Sequence, residues 1–214
     1  MNRAFLFGGQ GTEMPRMGLA FAAERPASAA LLRHAGDLVG VDAEQLLMTG
    51  GPAFARTSVI QPLLTAVGLA AAAALADRGI APAFTAGHSL GEIAAWSVAG
   101  AFDATTAVTI AARRGAAMER EAAQHPGGMI AVAGHDEAAV CELVRIGSLA
   151  GSVVVAAHNA AHEWTLSGDR DALSQIAART AVTRLPVAGA WHSPAMAGAV
   201  VDVTAAVGQV RLAE

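Results

Sequence analysis

A chain of 214 residues with 54% hydrophobic content is long enough for one domain, or for one domain carrying a smaller inserted one, and it has ample apolar material for a core. Its formal charge of −4 provides no basic patch and excludes a nucleic-acid footprint. A single cysteine, Cys141, excludes an internal disulfide and suits the cytoplasm.

Cys141 lies in an apolar helical stretch and is expected to be a buried packing residue. All fourteen basic residues are arginine, which reads as compositional bias. No apolar run reads as a membrane span, because Asp77 and Arg78 close the alanine-rich run at 70–76. The N-terminus runs at once into a strand pattern and lacks a cleavable signal.

Residues 3–8 predict a first buried strand, followed by Gly8-Gly9-Gln10-Gly11. This loop matches neither the G-x-G-x-x-G nor the Walker pattern. It is either a plain tight turn or a place where backbone N–H groups supply half of an oxyanion hole. A helix is predicted from about Met14, broken at Arg25-Pro26, with a second helix to about Val39. Gln61-Pro62 is expected to open the next helix, with proline at its first position and Gly79 past its end. That helix is hydrophobic nearly all round and should be buried, leaving Gln61 at its mouth as a cap.

Residues 83–86 read as a short buried strand, and the apolar positions Leu90, Ile93, Ala94 and Val98 share one face of a following helix. Between them stands Gly87-His88-Ser89-Leu90-Gly91, a G-x-S-x-G pattern on a strand-to-helix turn. The two glycines permit a sharp turn and keep side chains away from Ser89. The Ser89 hydroxyl then stands above the sheet edge as a nucleophile, and the N–H of Leu90 is free to hold a developing oxyanion.

A long helix follows, about 104–124. Ala107, Ile110, Ala111, Arg114 and Met118 share its apolar face, and Arg113 falls on the wet one. A guanidinium on an apolar face needs an anionic partner. That partner is either a protein carboxylate or a carboxylate on the substrate, held by the two-pronged fork.

From Gly127-Gly128 the pattern changes to strand, helix, strand, strand, helix, strand, which is the ferredoxin-like order. Residues 127–187 are read as an inserted subdomain. His158, His162 and Glu163 are not spaced as zinc ligands on a helix, and no metal is expected. At Trp191-His192-Ser193-Pro194, Ser193 is a good N-cap and Pro194 a good first helical residue, so His192 is held at a helix mouth. It is the best candidate base for Ser89. No acidic residue between the two stands in an obvious triad position.

These stretches resemble a known family at five places. Phe7-Gly8-Gly9-Gln10-Gly11 resembles the F-P-G-Q-G opening of malonyl-CoA:acyl carrier protein transacylases and polyketide synthase acyltransferase domains, with Gly8 in place of proline. Gln61-Pro62 looks like their Q-P, and Gly87-His88-Ser89-Leu90-Gly91-Glu92 is identical to their nucleophile motif. Arg114-Gly115 with Met118 is similar to R-G-x-x-M, and Trp191-His192-Ser193-Pro194 with Met196 to F-H-S-P-x-M. Order and spacing agree along essentially the whole chain.

The resemblance implies an α/β-hydrolase-like core with a parallel sheet, built from 1–126 and 188–214, around a ferredoxin-like insert at 127–187. It implies that Ser89 is acylated by malonyl-CoA, with His192 as base. It places Gln10 and Leu90 in the oxyanion hole and Arg114 on the malonyl carboxylate, with Gln61, His88 and Trp191 lining the pocket. Bulk at Trp191 favours malonyl over methylmalonyl. Acyl carrier protein is the implied acceptor. No cofactor, metal, nucleic acid or membrane is implied, and the location is cytoplasmic.

Family members continue past the equivalent of Glu214 with further core strands and a residue that orients the histidine. The stripe Met196, Val200, Val203, Thr204 and Val207 is therefore expected to lack cover and to invite self-association or a C-terminal partner. Two other readings compete: an acyl hydrolase using the same Ser–His pair, and an inactive domain kept as a docking module.

Overall fold

The structure, a computed structural model, describes residues 2–212. It divides into two compact units, one formed by the chain up to Ala117 and from Asp202 on, the other by Met118–Val201.

The first unit opens with β1 (Ala4–Phe7), α1 (Leu19–Glu24), α2 (Pro26–Val39) and α3 (Ala43–Thr49). A 3-10 turn at Pro52–Ala55 leads into α4 (Thr57–Asp77), β2 (Phe84–Gly87), α5 (Gly91–Val98) and α6 (Ala104–Gln124). Local chemistry sets the boundaries. Pro26 starts α2 and a left-handed Gly40 ends it. The Asp42 carboxylate accepts the Gln45 N–H and caps α3. Asp103 accepts the Thr106 N–H at the head of α6, and that bond holds its carboxyl below the usual aspartate value. The core gathers Leu32, Ala35 and Leu47 against Val59, Leu63 and Ala66 of α4, with Ala94, Ala107 and Val108. By length and composition α4 could cross a bilayer, yet most of its apolar window is buried in this core.

Three expectations are corrected here. Residues 14–18 form turns and not a helix, because Pro15, a left-handed Arg16 and a left-handed Gly18 interrupt any helical run. The helix predicted to open with Pro62 at its first position starts five residues earlier, at Thr57, so Pro62 lies inside it. Strands β1 and β2 pair in parallel, Leu6 opposite Ala86, but only one face of the pair packs, against α5. On the other face Leu6 is 79% and Phe84 65% exposed, although parallel sheets are ordinarily covered on both faces.

The second unit contains β3 (Gly128–Ala133), α7 (Glu137–Gly147), β4 (Val153–Ala160), β5 (Glu163–Gly168), α8 (Arg170–Ala177) and β6 (Val182–Arg184). The strands pair antiparallel in the order β4-β5-β3-β6, the ferredoxin-like arrangement. Ile130, Val132, Val140, Leu143, Leu166, Leu173 and Ile176 form its core. Cys141 is exposed, against expectation, because α7 turns Val140, Leu143 and Gly147 inward and residue 141 lies a further 100° around the helix. His158 stacks on Trp164 with ring centroids 3.6 Å apart, and the Trp164 indole N–H donates to the His135 carbonyl. A 3-10 turn at Pro194–Met196 leads into α9 (Ala197–Gly208). Val200, Val201 and Val207 of α9 are exposed, whereas Met196 of the expected stripe is buried, with Ala199 and Ala206.

Candidate active site

Ser89 sits in the turn between β2 and α5 with φ of +53°, a left-handed conformation that costs a non-glycine residue energy. The flanking glycines are dictated by packing. A Cβ on Gly87 would lie 2.0 Å from the Gly91 carbonyl carbon, and one on Gly91 would lie 2.1 Å from the Phe7 oxygen. Strand, turn and helix are thus in backbone contact, and the turn is closed by His88 N–H donating to the Phe7 carbonyl. Gly91→Ala should cost about 1–3 kcal/mol of stability, the usual range for overpacking, and should blunt Ser89 reactivity. Urea unfolding alongside an acylation assay measures both.

The loop at 8–11 lies directly on this turn, since a Cβ on Gly9 would meet the His88 carbonyl oxygen at 2.7 Å and its Nδ1 at 3.3 Å. His88 is exposed, with its ring against that loop. The backbone N–H groups of Gln10 and Leu90 donate to no acceptor among the described residues. Both remain available to a developing negative charge near Ser89.

Arg114 comes from α6, among the buried Ala107, Ile110, Ala111 and Met118. Its Nη1 donates to Gln61 Oε1 at 2.8 Å and its Nη2 to Ser89 Oγ at 3.0 Å. Gly115 allows this, because a Cβ there would strike the Thr57 carbonyl oxygen at 2.7 Å and crowd Gln61. Burial pushes the Arg114 pKa down to about 10, partly opposed by the negative charge of Glu92. Among the described residues Arg114 forms no ion pair. Of the two partners the sequence left open, the protein carboxylate is not at contact distance.

Gln61 is not a cap. It lies in the second turn of α4, fully buried, and its amide oxygen holds the guanidinium. The readable sign was an amide inside a helix apolar on all sides, which must find a polar partner. Thr57, whose Oγ1 accepts from Gln10 Nε2 at 3.1 Å, was missed altogether.

In the second unit, Trp191 is buried with its ring against Gly189, where a Cβ would meet Cζ3 at 2.6 Å. His192 is exposed and has φ of +59°. Ser193 fixes the following turn, accepting the Ala195 N–H and donating to the Ala190 carbonyl at 2.7 Å. Among the described residues only Arg16, Ser89 and His192 are non-glycine residues with positive φ, so two of the three are the expected nucleophile and base.

Comparison with known proteins adds the family. The model of the acyl transferase domain matches residues 4–213. The chain belongs to the acyl transferase domain family. Among its relatives within and around that family is the malonyl CoA-acyl carrier protein transacylase of Mycolicibacterium smegmatis. The two are 39% identical over 198 residues, covering 89% of this chain and 67% of the relative. Polyketide synthase GfsA of Streptomyces halstedii is 36% identical over 207 residues, covering 90% of this chain but 3% of that protein. The crystal structure of MCAT from Mycobacterium tuberculosis superposes with a TM-score of 0.88 at 34% identity, over all of this chain and 72% of the other. The α/β fold with a parallel sheet is therefore that of the acyl transferase domains.

Proposed function

We propose that this acyl transferase domain takes a malonyl group from coenzyme A onto Ser89 and passes it to the thiol of an acyl carrier protein. The carrying observation is the Arg114 guanidinium, unneutralised by any ion pair among the described residues and hydrogen-bonded to Ser89 Oγ. A cation so placed favours an acyl group that ends in its own carboxylate. The names of the transacylase relatives support the same choice of donor and acceptor.

In this reading Ser89 Oγ attacks the thioester carbonyl while His192, assigned from its motif and its strained backbone, takes the hydroxyl proton. The oxyanion forms against the N–H groups of Gln10 and Leu90 and collapses with loss of the coenzyme A thiolate, which recovers the proton from His192. The carrier-protein thiol then gives its proton to His192 and attacks the malonyl ester, and Ser89 leaves as the alcohol. No cofactor enters either half, and a cytoplasmic location suits both substrates.

Intact-protein mass spectrometry after mixing with malonyl-CoA tests this. A malonyl adduct that disappears in Ser89→Ala is expected. An adduct that survives Ser89→Ala, or free malonate formed equally fast with and without carrier protein, would overturn transfer through Ser89.

A further inference from the structure

The Gly8-Gly9-Gln10-Gly11 loop rests on the Ser89 turn through Gly9 and has a cavity beside Gly8. Gly8 and Thr12 border a cavity of about 180 Å³, lined also by Phe7, Met17, Leu64, Leu90 and Ala94. Inside the loop, Thr12 Oγ1 donates to the Gly9 carbonyl at 2.8 Å, and the Gly11 N–H to Glu13 Oε2. These bonds shape the loop but do not anchor it to a helix. The one hydrogen bond made by the Gln10 side chain among the described residues goes to Thr57 Oγ1.

Thr57 is a firm anchor. It is the first residue of α4, is 1% exposed, and has its backbone against Gly115 of α6. One turn further along the same helix, Gln61 holds Arg114. The first two turns of α4 thus tie down two pieces of the site by separate side chains, the loop through Thr57 and the guanidinium through Gln61.

We propose that Thr57 is a positioning residue for acyl transfer: by fixing the Gln10 side chain it aims the Gln10 backbone N–H at the oxyanion. This rests on the malonyl-transfer reading above. A donor that must meet charge appearing only in the transition state gains from being fixed beforehand, and misaiming it slows the chemistry more than it weakens binding. Thr57→Val keeps shape and volume but removes the acceptor, whereas Thr57→Ser keeps the acceptor.

The experiment is the rate of Ser89 malonylation by malonyl-CoA, with KM and melting temperature, for the parent, Thr57→Val, Thr57→Ser, Gln10→Met and the Thr57→Val/Gln10→Met double variant. Thr57→Val should acylate about 10- to 100-fold more slowly, below the about 100- to 1,000-fold cost of losing an oxyanion donor outright. Its KM should stay within about twofold, since the bond does not hold substrate. Thr57→Ser should recover most of the rate, and the double variant should be no slower than Gln10→Met alone. Should Thr57→Val fail to fold, Gln10→Met and Thr57→Ser test the bond from its two ends. A Thr57→Val rate equal to the parent's, equal losses in the valine and serine variants, or multiplied losses in the double variant would each overturn the positioning role alone. A parent that forms no malonyl adduct would overturn the transfer reading and this role together.

Discussion

Ser89→Ala and His192→Ala should each lower malonyl transfer by about three orders of magnitude or more, and the double variant should be scarcely worse than either. In the proposed reaction one proton passes between the two side chains. Without the imidazole the hydroxyl is a weak nucleophile at neutral pH, and without the hydroxyl the imidazole has nothing to activate. The backbone supports the pairing of roles, since both residues are held in left-handed conformations that a chain does not adopt without compensation. Arg114 Nη2 also donates to Ser89 Oγ, which favours negative charge on that oxygen as its proton departs. Residual activity in each variant would come from the Gln10 and Leu90 N–H groups and from substrate positioning. Transfer rates for the four proteins, measured with malonyl-CoA and carrier protein, decide the matter. Independent losses that multiply in the double variant would show that Ser89 and His192 do not act as a unit.

What could be read from the sequence followed from the range of the physics involved. The Ser89 turn was legible because its causes are local: a short strand, two glycines that nothing larger can replace, and a helix whose apolar face repeats at 3.6 residues. Helix α6 was legible for the same reason, down to Arg114 on its apolar face and Arg113 on its exposed one. The strand and helix order of the second unit was readable too, because each element there is short and patterned, and Asp136 caps α7. The misses involve contacts distant in sequence. The proline rule placed a helix start at Pro62, but the helix continues upstream to a buried Thr57, whose role is set by Gln10, 47 residues away. Gln61 looked like a cap for the same reason, since its partner Arg114 is 53 residues downstream. Burial of β1 and β2 was overestimated because apolar strand residues predict a covered sheet, and one face of this two-stranded sheet is exposed. Exposure of Cys141 turned on 100° of helix rotation, which a short apolar run does not fix.

Arg114→Ala should abolish the preference for malonyl over acetyl groups. Removing one partner of a desolvated charge pair costs roughly 2–5 kcal/mol, or about 30- to 5,000-fold. Malonyl transfer should fall by that factor while acetyl transfer, which has no carboxylate to pair, changes far less. Arg114→Lys keeps a positive charge but not a fork that reaches Gln61 Oε1 and Ser89 Oγ together, so it should fall between parent and alanine. Arg113→Ala is the control, because that side chain is exposed and donates to Gln209. Burial gives the effect a pH signature. The folded pKa is depressed to about 10, so at neutral pH Arg114 is charged and the folded state bears a desolvation penalty. That penalty is relieved only as pH rises through about 10, where the guanidinium loses its proton. A bound carboxylate offsets the same penalty while the charge is present, so malonyl selectivity should be flat from about pH 6 to 9 and fall above about 10. Competition between malonyl-CoA and acetyl-CoA, followed across pH for the four proteins, reads all of this. Equal losses for Arg113→Ala and Arg114→Ala, or an unchanged malonyl-to-acetyl ratio in Arg114→Ala, would mean that Arg114 only braces Gln61 and the Ser89 turn.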